Sequence, residues 1–269
     1  MRVNAYETNR SSLTRENVNL DIKGTNNMVV AIILAGGVGS RLGKGIPKQF
    51  VEVLGKPIMA YTIEKFENNP NIEAIEIVSH KDYIEQSRAL SEKYGFSKVK
   101  WFVSGGNSFP ESTVCGLNFL KDKISDDDIV MVHGSCAPLV TDEVINDGIK
   151  VCKEKQNAMA IQQMCLSTCL KDDEESSSKS IDRETIVQVQ FPLTFRYKYI
   201  MDAYDKVIAD GSFGELGKQI QYAIFANGGT MHFSKGDDRN FKITTQAELD
   251  LFEGYLLLRE KRKREGISN

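Results

Sequence analysis

From Met28 onward the chain alternates between short apolar runs and longer stretches in which apolar residues recur every three or four positions. "MVVAIILA" (28–35) has no polar residue, the pattern of a strand buried on both faces. "KPIMAYTIEKFENN" (56–69) sets Ile58, Tyr61, Thr62 and Phe66 on one side of a helix. The strand pattern returns in "IEAIEIVSH" (72–80), "KVKWFVSG" (98–105) and "DIVMVHG" (128–134). The helical one returns in "DYIEQSRALSEKYG", "ESTVCGLNFLKDK" and "TDEVINDGIKVCKEK", the last opening on a Thr or Asp cap. This alternation predicts an α/β fold. Its sheet is mostly parallel, lies between helices and is joined by right-handed crossovers, with ligands at the carboxyl ends of the strands.

The middle of the chain reads differently. "NAMAIQQMCLSTCLK" and "IDRETIVQVQFP" both look like strands, and the charged, Ser-rich "DDEESSSKS" joins them. Two strands with a polar tip predict a protruding hairpin arm over about 160–192. Such an arm makes few contacts within its own subunit, so an exchanged homodimer is expected. A helix in "RYKYIMDAYDKVIADG" and a strand in "TMHFSKG" follow. Then come a short strand in "NFKITT" and a long helix that the basic "REKRKR" completes, where cations suit the helix dipole. No internal repeat is visible.

Composition narrows the function. The 269 residues are 41% hydrophobic and 26% charged, with a formal net charge of -3. That balance offers no basic field for nucleic acid or for a membrane surface. The five cysteines form no CxxC pair, and an odd number in a long chain points to reduced, buried thiols. No metal site is expected from Cys165, Cys169 and three scattered histidines. No run approaches the ~20 apolar residues of a membrane span. Residues 1–27 are polar, lack the apolar core of a secretory signal, and read as a disordered extension. The expected organisation is that extension, a domain over 28–258 and a basic helix end over 259–269. Met28 is a candidate natural start, and the expected location is the cytoplasm.

Candidate chemistry begins where the first strand ends, in "AIILAGGVGSRLGKGIPKQF" (31–50). Gly36, Gly37 and Gly39 lack a Cβ, which lets backbone N–H groups approach a phosphate or a base. The loop lacks the G-x-x-x-x-G-K-[ST] spacing of a Walker loop and the G-x-G-x-x-G of a dinucleotide fold. Instead it carries Arg41 and Lys48, a fork and a point charge suited to a triphosphate attacked at its α-phosphorus. Pro47 stiffens the approach to Lys48.

Together "LAGGVGSRLGKGIPKQF", "GKPIMAYTIEKF", "GGNSFPESTVCGL", "DDDIVMVHGSCAPLVTDEVI", "DRETIVQVQFPLTF" and "NFKITTQAELDL" resemble the cytidylyltransferases that make CDP-polyols. These act on methylerythritol phosphate or ribitol 5-phosphate. The resemblance implies a Rossmann-like nucleotidyltransferase fold and a homodimer whose hairpin arms cross to the partner's site. It implies CTP and a phosphorylated polyol as substrates, giving a CDP-polyol and pyrophosphate, with a strand-end Asp as ligand or orienter of the Mg2+ on the triphosphate; without that Asp, Mg2+ is expected to be held mainly by the triphosphate. By this resemblance Ala35, Gly36, Gly37 and Gly39 line the nucleotide, while Gly105, Glu111 and Ser112 lie at the base. Arg41, Lys48 and Lys242 stabilise the transition state, and Thr168 and Arg183 reach the partner's polyol phosphate. The attacking phosphate is already ionised, so positioning and electrostatics suffice.

The chain departs from the family after its fourth predicted strand, where His-Asp-x-x-Arg-Pro is usual. Gly134 stands at the Asp position and Ala137 at the Arg position. Phe191 and Leu193 replace polar residues in the family's Thr-Pro-Gln, and Phe109 and Pro110 stand at another polar pair. Two readings follow. In one, the enzyme is active with a remodelled acceptor pocket, ribitol 5-phosphate leads methylerythritol phosphate as acceptor, and the product feeds surface polysaccharide. In the other, a catalytically impaired relative keeps the nucleotide cradle to bind a nucleotide or a partner. His133 reads as a structural strand-end residue rather than a general base.

Overall fold

The structure is a computed structural model and describes residues 27–37, 46–215, 217 and 219–267. All but the last residue of the expected 1–27 extension lie outside these residues. Strand β1 (Val29–Ala35) is buried along its whole length. A small antiparallel hairpin follows, β2 (Glu52–Val53) with β3 (Lys56–Pro57). It turns on Leu54 and Gly55, whose φ angles of 49° and 77° suit the tight turn of a two-residue hairpin. Next come α1 (Ile58–Asn68), β4 (Ala74–Ser79), α2 (Ile84–Lys93), β5 (Val99–Ser104), α3 (Phe109–Leu120), β6 (Ile129–Gly134) and α4 (Asp142–Lys155). Then follow β7 (Asn157–Gln163), β8 (Thr168–Leu170), β9 (Lys179–Ile181), β10 (Val187–Arg196) and α5 (Tyr197–Ala209). The last elements are α6 (Tyr222–Ala226), β11 (Phe233–Lys235) and α7 (Gln246–Arg264).

The main sheet has the order β11-β7-β10-β6-β1-β4-β5. β6, β1, β4 and β5 run parallel, as the strand–helix alternation predicts. β10 lies antiparallel between β6 and β7, so the sheet is mixed. β1 is central, and its side chains alternate between two cores. Val29, Ala31 and Ile33 pack with Met59, Ile63 and Phe66 of α1 and Val144 and Ile149 of α4. Val30, Ile32 and Leu34 pack with Leu117 and Leu120 of α3 and Ile200 and Tyr204 of α5. That two-sided burial is why β1 carries no polar residue. A third cluster docks α7, through Leu249 and Phe252, beside Val51, Cys136 and Ile243.

Local signals settle the helix starts. Thr141, not Asp142, caps α4 by accepting from the Val144 N–H. Thr245 and Glu248 form a reciprocal capping box at α7, which runs through the basic end as expected. α3 begins at Phe109, earlier than its apolar spacing suggested, because Ser108 caps it and Pro110 fits its first turn.

Two expectations are corrected. "NFKITT" forms no strand. The Ile243 N–H donates to the Cys136 carbonyl, and the segment otherwise runs irregularly across the ends of the strands. The thiols are also not uniformly buried: Cys136 and Cys152 are, but Cys165 and Cys169 are exposed on the hairpin, outside either core. The hairpin itself is present. β8 pairs antiparallel with β9, and β7 pairs with β10 out to Gln163 opposite Val187. Among the described residues no helix is long and apolar enough to cross a membrane.

Candidate functional site

The ends of β1 and β5 meet at the start of α3. A Cβ on Gly105 would lie 2.8 Å from Ser112 Oγ, and one on Gly36 would lie 3.5 Å from the same atom. Gly105 is therefore a position where any side chain would collide, and its absence keeps the surface open beside the hydroxyl. Ser112 Oγ donates to the Gly106 carbonyl at 3.3 Å. Glu111 sits beside it with both oxygens engaged. Oε2 accepts from the Asn107 N–H at 2.9 Å and Oε1 from the Ser108 hydroxyl at 3.1 Å, so the carboxylate fixes the turn into α3. The Ala35 carbonyl accepts from Gln49 Nε2 at 2.8 Å, and among the described residues nothing stands within 4 Å of a Cβ on Gly37. Gly39 and Arg41 lie outside the described residues.

Lys48 reaches the residue that follows Lys242 in the chain. Lys48, leading a 3-10 turn after Pro47, donates through Nζ to the Ile243 carbonyl at 3.0 Å. Lys242, next in the chain to Ile243, rides on an irregular segment tied down at four points. Gln190 Nε2 donates to the Asp237 carbonyl at 3.0 Å and its Oε1 accepts from the Asp237 N–H at 3.0 Å. Asn240 Nδ2 donates to the Phe191 carbonyl at 2.5 Å, and the Ile243 N–H donates to the Cys136 carbonyl at 2.8 Å. Lys242 Nζ stands 4.0 Å from the centre of the Phe109 ring and 5.5 Å from that of Phe191.

The end of β6 is closed with aromatic bulk. A Cβ on Gly134 would lie 3.3 Å from the Phe191 ring, so that ring fills the space a side chain at 134 would enter. His133 is fully buried, and its Nε2–H donates to the Ala137 carbonyl at 2.9 Å. Burial holds its pKa down to about 4, the nearby Lys242 adding to the effect while the bond to Ala137 opposes it. Its Nδ1 is buried without a partner. The imidazole is thus neutral and structural, as its place in the sequence suggested. Among the described residues no three His, Cys, Asp or Glu side chains come together as a metal cage. At this strand end neither Gly134 nor Ala137 offers an oxygen ligand, so the residues present do not fit a protein-held magnesium.

A cleft of about 920 Å³ opens beside Lys242. Phe109, Ala137, Phe191 and Leu193 line it on apolar ground, and Gln162, Gln188, Gln190, Gln219, Gln221 and Asn240 line it with amides. The amides were missed in the sequence. Gln188 and Gln190, two apart on one strand, share a face and were the readable signal. Thr168 and Arg183 do not line the cleft of their own protomer. On the hairpin, Thr168 Oγ1 donates to the Leu166 carbonyl at 3.3 Å and Arg183 Nη1 to the Cys165 carbonyl at 3.4 Å. The structure therefore joins Gly36, Gly105 and Ser112 in one place and Lys48 and Lys242 in another, and sets Thr168 and Arg183 apart from both.

Residues 29–258 match the model of the family described as IspD, 2-C-methyl-D-erythritol 4-phosphate cytidylyltransferase. A ribitol-5-phosphate cytidylyltransferase of Lacticaseibacillus paracasei is 38% identical over 235 residues, spanning 87% of this chain and 99% of the relative. A 2-C-methyl-D-erythritol 4-phosphate cytidylyltransferase of Clostridium acetobutylicum is 34% identical over 223 residues, spanning 82% of this chain and 94% of the relative. Among solved structures, a 4-diphosphocytidyl-2C-methyl-D-erythritol synthase of Anaerococcus prevotii aligns with a TM-score of 0.73 at 23% identity. It covers 86% of this chain and 96% of that one.

Proposed function

The chain belongs to the IspD and ribitol-5-phosphate cytidylyltransferase family, and we propose that within it the acceptor is ribitol 5-phosphate or a close polyol phosphate. The protein is a cytidylyltransferase, moving CMP from CTP to a phosphorylated sugar alcohol. The observation that carries the site reading is the bond from Lys48 to the Ile243 carbonyl, which ties the end of the glycine turn to the segment whose Lys242 lines the cleft. The ribitol reading is supported by the 38% identity to a ribitol enzyme, against 34% to a methylerythritol one. The amide wall suits a polyol of either kind, because amides both donate to and accept from hydroxyls. The product would supply an activated precursor for surface polysaccharide.

In this reading an oxygen of the acceptor phosphate attacks the α-phosphorus of CTP. The new P–O bond forms as the α–β bridging bond breaks, and pyrophosphate leaves with the electron pair. No base is needed. Lys48, Lys242 and Arg41 balance charge on the equatorial oxygens and the leaving group. Ala35, Gly36, Gly37, Gly39, Gly105 and Ser112 seat the nucleotide, and Glu111 holds the turn that presents Ser112. Thr168 and Arg183 serve the partner protomer's acceptor in a homodimer joined through the hairpin. Magnesium enters with the nucleotide as part of the substrate, since the strand end offers it no carboxylate.

The test is a 31P NMR assay with CTP, magnesium and ribitol 5-phosphate. The expected result is a CDP-ribitol diphosphate signal together with pyrophosphate. Methylerythritol phosphate giving product while ribitol 5-phosphate gives none would replace the proposed acceptor.

A further inference from the structure

The seating of Lys242 carries an inference of its own, which rests on reading this lysine as a phosphate-facing cation. Its Nζ lies 4.0 Å from the centre of the Phe109 ring, within the range of a close cation–π contact. Phe191 flanks it at 5.5 Å. The two rings stack on each other with centroids 6.0 Å apart and planes 22° apart. Phe191 is held from behind, edge to face with His133 at 5.8 Å and 67°. It also stands against the bare Cα of Gly134, and Asn240 bonds to its carbonyl.

We propose that Phe109 and Phe191 form an aromatic seat that positions Lys242 at the cleft. Phe109 is the face the ammonium rests on, and Phe191 is the backing that fixes Phe109. Lysine is a flexible point charge, and it loses conformational freedom whenever it is held in one place. A ring quadrupole attracts the ammonium without cancelling its charge, as an ion pair with a carboxylate would. The seat therefore limits where the cation can be. Gly134 is part of the same device, because a Cβ there would press on the Phe191 ring at 3.3 Å. Phe109 and Phe191 are positioning residues that act through Lys242.

The experiment compares wild type, Phe109→Leu and Phe109→Tyr in the full chain. Phe109 is only partly buried, so the fold should survive either change. Pyrophosphate release is expected to show kcat falling about five- to thirtyfold in Phe109→Leu with KM for CTP unchanged, and kcat retained in Phe109→Tyr. Full kcat in Phe109→Leu, or an equal fall in Phe109→Tyr, would overturn the seat. A second readout does not depend on turnover. In wild type the Lys242 ε-methylene protons should be shifted upfield by the ring current, and the shift should vanish in Phe109→Leu and persist in Phe109→Tyr. A wild-type protein with no upfield shift would overturn the seat even if active. A shifted signal without turnover would leave the seat standing and reject the proposed reaction.

Discussion

The Phe191 ring stands 3.3 Å from the point where Gly134 would carry a Cβ, so these two positions form a matched pair between the end of β6 and the irregular middle of β10. Gly134→Asp must push the ring away and bring a carboxylate into a buried strand end. It is expected to cost at least the 1–3 kcal/mol typical of overpacking, about. Phe191→Thr in the same chain should recover part of that loss. A double-mutant cycle by urea denaturation checks this, and additive changes would show that the two sites are independent.

Lys48 donates to the Ile243 carbonyl and so links the glycine turn to the segment bearing Lys242. Lys48→Met should lower kcat on the order of a hundredfold, the scale of one lost transition-state donor. The protein should stay folded, since Lys48 is only partly buried. Unchanged pyrophosphate release would remove Lys48 from the nucleotide site.

Glu76 on β4 is fully buried, and both of its carboxyl oxygens lack a hydrogen-bond partner. Burial pushes its pKa up from 4.5 to about 9, with Lys123 opposing weakly. The folded state thus keeps a proton that the unfolded state releases above about pH 4.5. Stability is fully present below that pH and is lost as pH rises toward about 9. Glu76→Gln should remove this loss, so the variant should gain on wild type by roughly 3 kcal/mol between pH 4.5 and 7. Parallel pH profiles for the two proteins would contradict the assignment.

The hairpin of β8 and β9 makes its pairings outside the two cores, and Leu166 and Leu170 are exposed on it. Replacing residues 165–185 with a two-residue Asn-Gly turn should leave the main sheet intact and convert a dimer to monomer in sedimentation velocity. A dimer that survives would place the interface elsewhere.

The parts of this fold that were readable in the sequence are those governed by local pattern. β1 and β6 were visible because burial on both faces favours apolar runs, β4 and β5 because short runs of mostly apolar residues alternate with helical spacing, and α4 because Thr141 precedes a regular apolar spacing. The antiparallel pairing of β10 with β7 was expected of a hairpin, but its insertion between β7 and β6 was not visible, because the order of pairing is set by packing and leaves no mark on a single strand. "NFKITT" resembles a strand in its alternation, but its Ile243 N–H bonds to the Cys136 carbonyl in the turn after β6 and not to a strand. At the site, Gly134 and Phe191 were each legible as departures. Their contact was not, since it joins segments distant in the chain. The amide wall stayed hidden for the same reason: Gln162, Gln190, Gln221 and Asn240 come from separate elements and meet only in the cleft.

The central proposal is that this chain is an active cytidylyltransferase whose preferred acceptor is ribitol 5-phosphate. The most direct test is pyrophosphate release with CTP and magnesium, comparing kcat/KM for ribitol 5-phosphate and methylerythritol phosphate, with a CTP-binding titration beside it. The account predicts turnover with a clear preference for ribitol 5-phosphate. CTP binding with no release from either acceptor, or preference for methylerythritol phosphate, would contradict it.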